Sequence, residues 1–239
     1  MEDGAVPDYY ELRRYQLRNG PQVKRLDEFL ERVAIRALND CGVRPVGVFV
    51  GVLGDVNPAV YTLLRHTTLE SVATVRSRLA SDREFQRTGA AFLDVPATDP
   101  SFMRVESSLL VAFDAIPELE LPPGAGTAAP RIFELRRYES HSDAASRRKI
   151  EMFNTGEIAI FRRTGLRPVF FGETLVGARM PNLTYMLTFE DMAARERCWA
   201  TFRADPAWKR LWTTAGLTDP EIVTNVTSVI LRPAPYSQI

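Results

Sequence analysis

Tyr10-Glu11-Leu12-Arg13-Arg14-Tyr15 returns as Phe133-Glu134-Leu135-Arg136-Arg137-Tyr138, 123 residues further along a chain of 239. The same displacement carries Gly42-Val43-Arg44-Pro45-Val46 onto Gly165-Leu166-Arg167-Pro168-Val169, and Asp82-Arg83-Glu84-Phe85 onto Asp205-Pro206-Ala207-Trp208. Tyr61 and Tyr185 stand one residue further apart, which reads as a small, compensated length difference. A period of half the chain marks a duplicated domain, since solenoid units repeat at much shorter periods.

In the first half, residues 9–17 have strand character and Asn19-Gly20-Pro21 breaks it. Val23, Leu26, Leu30, Val33, Ala37 and Cys41 then recur at helical spacing up to Gly42, a natural stop. Two β-branched and aromatic runs, 46–53 and 60–64, flank the turn Asp55-Val56-Asn57-Pro58 and predict a hairpin. Helical spacing resumes over 69–79, with a short extension near Phe85, and 107–113 is the last strand.

The second half repeats the order: strand 132–139, a helix near 143–164 with Ser142 as N-cap, strands 169–175 and 183–189, helix 192–202, strand 222–231. Residues 119–130 have the Pro- and Gly-rich composition of a linker between a first domain, 1–118, and a second, 131–239. Each half is thus a ferredoxin-like βαββαβ unit, and the class is α+β. A four-stranded antiparallel sheet with its helices on one face leaves the other face bare. The two bare faces are expected to pack on each other as an α+β barrel.

Composition excludes several functions. With 30 basic and 30 acidic residues there is no electrostatic footprint for nucleic acid or an anionic membrane. Cys41 and Cys198 occupy non-equivalent places in the repeats, so no disulfide framework is expected. The acidic start of the chain lacks the apolar stretch of a signal peptide and the Arg-rich pattern of a transit peptide, so a cytoplasmic location is expected. No apolar run approaches the roughly 20 residues of a membrane span. Two histidines without paired cysteines give no metal-ligand spacing. There is no Walker loop, dinucleotide fingerprint or nucleophile elbow, and no cofactor is expected.

The second half resembles the NIPSNAP family of the dimeric α+β barrel superfamily. The likeness lies in Glu139-Ser140-His141-Ser142, Glu151-Met152-Phe153-Asn154, the run from Gly156 to Gly165, the run from Met180 to Leu187, and Ala204-Asp205-Pro206-Ala207-Trp208. The first half is similar through Glu11-Leu12-Arg13 and Asp82 to Phe85. The resemblance implies a fold more than a reaction. No common chemistry defines the family, whose eukaryotic members are linked to mitochondria and to vesicle or organelle handling. The wider superfamily includes cofactor-independent monooxygenases, isomerases, cyclases and haem-handling enzymes, with ligands between sheet and helices or within the barrel.

Strand alternation separates Leu12 and Leu135, expected to face the helices, from Glu11, Arg13 and Tyr15 and from Glu134, Arg136 and Tyr138, expected to face the barrel interior. Arg136 and Tyr138 are candidates for an anion clamp and a proton donor, with Glu134 as a ligand-binding neighbour. Mutual neutralisation of Glu134 and Arg136 is the plainer alternative.

Glu157 falls on the inward stripe defined by Ile150, Phe153, Ile160, Phe161 and Thr164, where the first half has Ala34. A desolvated carboxylate there is a candidate acid or base, and an ion pair with Lys149 or Arg162 is its structural alternative. His141, opposite Arg18, is a second candidate base. Arg179, Asn182 and Tyr185 are candidate ligand contacts at a pocket mouth, although the match of Tyr61 to Tyr185 favours packing. Trp199, Trp208 and Trp212 read as helix packing.

The leading expectation is small-molecule binding with acid–base chemistry in the second half. A non-enzymatic homo-oligomer, most simply a dimer, is the alternative, and haem held by His141 or His66, the latter a solvated rim residue, is a third.

Overall fold

The computed structural model describes residues 6–18, 20–127 and 129–239, so Asn19 of the first break, Ala128 of the linker and most of the acidic start lie outside it. Eight strands close into one antiparallel barrel in the order β1-β3-β2-β8-β5-β7-β6-β4. They are β1 (Tyr9–Gln16), β2 (Val46–Leu53), β3 (Ala59–His66), β4 (Arg104–Ala112), β5 (Ile132–Glu139), β6 (Arg167–Val176), β7 (Asn182–Phe189) and β8 (Asn225–Pro233). Each half contributes four consecutive staves, so the sheets meet edge to edge as well as face to face. Antiparallel order makes β1 and β5 point the same way on opposite walls, and the internal twofold therefore runs along the barrel axis.

The two halves share one register. Tyr9 pairs with His66 and Gln16 with Ala59; Ile132 pairs with Phe189 and Glu139 with Asn182. All four positions are related by 123, so no length difference exists at this hairpin. The residue equivalent to Tyr185 is Thr62, since Arg13 pairs with Thr62 and Arg136 with Tyr185. Tyr61 and Tyr185 are therefore not equivalent, and they lie on opposite faces of their sheets.

The long helix of each half is interrupted at the same place. In the first, α1 (Pro21–Phe29) passes through a π-helical turn, Leu30–Ala34, into α2 (Ile35–Asp40); in the second, α5 (Asp143–Met152) passes through Phe153–Glu157 into α6 (Ile158–Arg163). Ser142 caps α5 by accepting a bond from the Ala145 amide. Gly42 and Gly165 both end their helices at φ 85°, the left-handed value that closes a helix cheaply only for glycine.

The second helical layer is α3 (Leu69–Ser81) with α4 (Arg83–Leu93), and α7 (Met192–Ala204) with α8 (Pro206–Trp212). Residue 222, read as the start of a strand, instead ends a short helix, α9 (Asp219–Ile222), because Thr218 and Glu221 form a capping box around Pro220.

The faces of β1 and β5 are the reverse of the expectation. Leu12 and Leu135 lie inside the barrel, packed with Tyr10, Phe49, Phe133, Phe170 and Leu231. Tyr15 and Tyr138 belong to the two sheet–helix cores instead. Alternation sorts a strand into two sets without saying which is inward. Here the narrow barrel takes the set with Tyr10, Leu12, Phe133 and Leu135, whose Arg14 and Arg137 reach its mouth, and the Glu-Arg-Tyr set of the second half meets polar partners on α7. The barrel is filled at one end by Ile239, which is fully buried. A Cβ at Gly47 would lie 2.6 Å from the Phe49 ring and 2.9 Å from Ile239, so only glycine fits there.

Candidate functional site

Glu134 is the buried anchor of the second sheet–helix layer. It has no exposed surface, and accepts bonds from Arg195 Nε and Nη2 at 2.8 and 2.6 Å, Trp199 Nε1 at 2.8 Å and Ser228 Oγ at 2.6 Å. Burial pushes its pKa up, but Arg195, Arg136, Ser228 and Trp199 outweigh that and hold it below the ordinary carboxylate range. Arg136 completes the cluster, 3.2 Å from Glu134, with its guanidinium 4.8 Å from the Trp199 ring centroid. Glu134 therefore positions Arg136 and Trp199; it does not line the cleft beside them, which corrects its reading as a ligand contact.

Arg136 also donates to the Tyr138 hydroxyl at 3.0 Å, and Tyr185, fully buried behind, donates to the same oxygen at 3.4 Å. The Nε of Arg136 is buried without a partner. Tyr185 is closed off by stacking on Phe171 at 4.6 Å, and burial drives its pKa far up, so it is a positioning group and not a ligand contact.

The helix supplies the other wall. Glu157 ends the π-helical turn, a distortion that recurs at functional sites. Its Oε2 lies 3.1 Å from Lys149 Nζ, with the two side chains 3% and 1% exposed. The ammonium sits among the rings of Phe153, Tyr138 and Trp208, at 4.9, 5.4 and 5.8 Å from their centroids. Burial raises the pKa of Glu157, partly offset by Lys149. Lys149 is held protonated by Glu157, Tyr138 and Asp219 against its own desolvation. Glu157 is thus a desolvated carboxylate, and Lys149 is the partner it pairs with.

These groups border a cleft of about 720 Å³ between β5, α5, α7 and α8, whose outer walls are Trp208, Trp212, Arg203, Lys209 and Asp219. All three tryptophans of the chain line it. The equivalent layer of the first half is packed with apolar side chains. Leu26 and Ala34 stand where the second half has Lys149 and Glu157, and Phe29 stacks on Phe92 at 4.3 Å beneath the longer α4.

Of the expected site residues, Glu157, Arg136 and Tyr138 come together. His141 does not join them: it is exposed in the loop before α5 and lines none of these cavities. Asn182 is spent on the hairpin, bonding Thr174 at 2.7 Å and the carbonyls of Ala178 and Arg179. Arg179 lies at the barrel mouth, away from the cleft. His66 is fully buried, not solvated, with Nδ1 2.9 Å from Ser71. Neither histidine borders the cleft, so haem ligated by either does not fit there. Among the described residues no cluster of metal-ligating side chains occurs.

Lys149 was visible in sequence only as a partner for Glu157, and Arg195 not at all. Both break the repeat, facing Leu26 and Val72, and that contrast was their signal.

The fold and cleft define a class, a tandem α+β barrel with an open sheet–helix cleft in its second half. The chain belongs to the NIPSNAP family, whose profile matches residues 10–110 and 133–238. It is similar to an uncharacterized NIPSNAP-like domain protein from Burkholderia xenovorans at 24% identity, over 46% of this chain and 90% of that one, with a TM-score of 0.41. A candidate monooxygenase of Fusobacterium nucleatum shares the fold at 6% identity over 95% and 93% of the chains, with a TM-score of 0.60. An anthrone oxidase-like protein does so at 11% identity over 98% and 92%, with a TM-score of 0.57. No curated protein sequence matches significantly. Among the described residues no helix is long and apolar enough to cross a membrane.

Proposed function

We propose that this NIPSNAP protein binds a small aromatic acid in its second-half cleft, and that Tyr138 and the Lys149–Glu157 pair equip that cleft for acid–base chemistry without a cofactor. The observation that carries the reading is the buried ion pair on the cleft wall, where the other half has Leu26 and Ala34. Such pairs add little stability compared with apolar residues of similar volume, so a scaffold role does not account for it. Arg136, Arg203 and Lys209 favour an anionic group, and the tryptophans favour a flat ring. Cofactor-independent oxygenation is one reaction such a site would serve, by analogy of fold with the neighbours named above.

Because all three tryptophans border the cleft, their emission reports on it alone. Titration with 2-naphthoate should give saturable quenching that Arg136→Gln weakens about tenfold or more, the worth of a charge-assisted contact. No saturable change, or equal change in the variant, would remove the proposal.

A second reading, a homo-oligomer, rests on a separate observation. Leu53 and Val56 at one hairpin and Val176 and Met180 at the other are 66%, 60%, 66% and 48% exposed. They ring the same end of the barrel, as an interface between copies would.

A further inference from the structure

The barrel is open at the end where β1 and β5 finish, and there it holds a cavity of about 460 Å³ with Leu12, Leu135 and Val229 as its floor. Arg14 and Arg137, equivalent in the repeat, enter this cavity from opposite walls. Arg14 is fully engaged. Its Nε and Nη2 each lie 2.6 Å from a separate oxygen of Asp55, Tyr61 donates to the same carboxylate, and Glu106 is 3.4 Å from Nη1.

None of that survives around Arg137. The register puts Ala178 in the place of Asp55, Thr184 in the place of Tyr61 and Thr227 in the place of Glu106. Among the described residues no side chain makes a hydrogen bond or ion pair to Arg137. Burial lowers its pKa and Arg179 at the rim adds repulsion, against smaller attractions from Glu139, Tyr61 and Glu106, none of which bonds it. One wall of a twofold cavity thus keeps the cation and has lost both carboxylates.

We infer that the barrel mouth is a second binding site, distinct from the cleft, for a small carboxylic acid with an apolar body. The ligand carboxylate takes the position that Asp55 holds in the first half, accepting two parallel bonds from the Arg137 guanidinium, with the Thr184 and Thr227 hydroxyls as further donors. The apolar body rests on Leu12, Leu135 and Val229. A planar two-oxygen acceptor is what the Arg14–Asp55 pair shows this geometry to accommodate, and the apolar floor favours a carboxylic acid over inorganic phosphate.

The test is calorimetric titration of the full chain with octanoate, with 1-octanol and inorganic phosphate as the other arms. Octanoate should bind with one-to-one stoichiometry, and 1-octanol and phosphate should bind at least tenfold more weakly. Ala178→Asp restores the first half's own residue to this hairpin, so it should fold, fill Arg137 internally and weaken octanoate at least tenfold. Arg137→Gln should do the same without adding a carboxylate. Octanoate binding unchanged in Ala178→Asp, 1-octanol binding as tightly as octanoate, or phosphate binding in its place would each overturn the inference. So would a tryptophan emission change tracking the calorimetric isotherm, which would put the ligand in the cleft.

Discussion

Lys149 and Glu157 form an ion pair of 3.1 Å that is almost wholly removed from solvent, at positions the duplicated half fills with Leu26 and Ala34. Two halves with one register and one fold differ here in the most expensive way available to a core. Removing either partner should cost about 3–5 kcal/mol, because it strands a buried charge.

The pair gives a signed pH dependence. Glu157 has a folded pKa above its unfolded value, so the native state binds more protons between the two, and its contribution to stability falls as pH rises from about 4.5 upward. Denaturation midpoints for the wild type and Glu157→Gln between pH 4 and 7 should give a difference that shrinks with rising pH. A difference that grows would show that Lys149 keeps the carboxylate ionised throughout.

His66 acts in the opposite sense. Burial lowers its pKa below the ordinary 6.5, with Arg13 lowering it further and Glu11 opposing, so its contribution to stability is complete above pH 6.5 and is lost as pH falls from there through the lower folded pKa. Its counterpart is Phe189. His66→Phe should flatten the acid limb of the thermal stability curve, and an unchanged limb would mean that His66 is not its source.

Glu134 should prove structural and positional together. Glu134→Ala leaves Arg136 and Arg195 without their shared carboxylate and should cost about 3–5 kcal/mol. Arg195→Met removes two of the bonds and leaves the carboxylate to Arg136, Trp199 and Ser228, so it should fold with a lowered melting temperature and a changed setting of Arg136. A weaker naphthoate response in folded Glu134→Gln, which keeps the hydrogen bonds' acceptor oxygen but not the charge and does not itself line the cleft, checks the positioning role, and an unchanged response would dismiss it.

Much of this was legible in the sequence, and what was missed has physical reasons. The 123-residue displacement carried the strand order and the hairpins, because each depends on local spacing that the duplication copied, while the π-helical turns inside the long helices left no such mark. Glu157 was legible because helical periodicity fixes a face. The inward direction of Leu12 and Leu135 was not, since alternation is symmetric until a neighbouring layer selects a side. His141 failed as a site residue because it lies in a loop, where no periodicity aims a side chain. Tyr61 misled because identity at a displacement of 124 looked like equivalence, while the pairing of Arg136 with Tyr185 required 123.

The exposed hairpin residues make a prediction of their own. If copies of the chain meet at the open end of the barrel, light scattering should give a dimer mass that Leu53→Lys with Val176→Lys reduces to the monomer. A monomer before substitution would dismiss the interface.

The central claim is that the Lys149–Glu157 pair is kept for the cleft and not for the fold, and a double-variant cycle measures this most directly. Unfolding free energies are compared for the wild type, Lys149→Leu, Glu157→Ala and the double variant, which carries the first half's own residues. Both single variants should be destabilised by about 3–5 kcal/mol, and the double should return to within about 1 kcal/mol of the wild type or exceed it. A double variant as unstable as the sum of the singles would contradict the account, since the pair would then be holding the fold together.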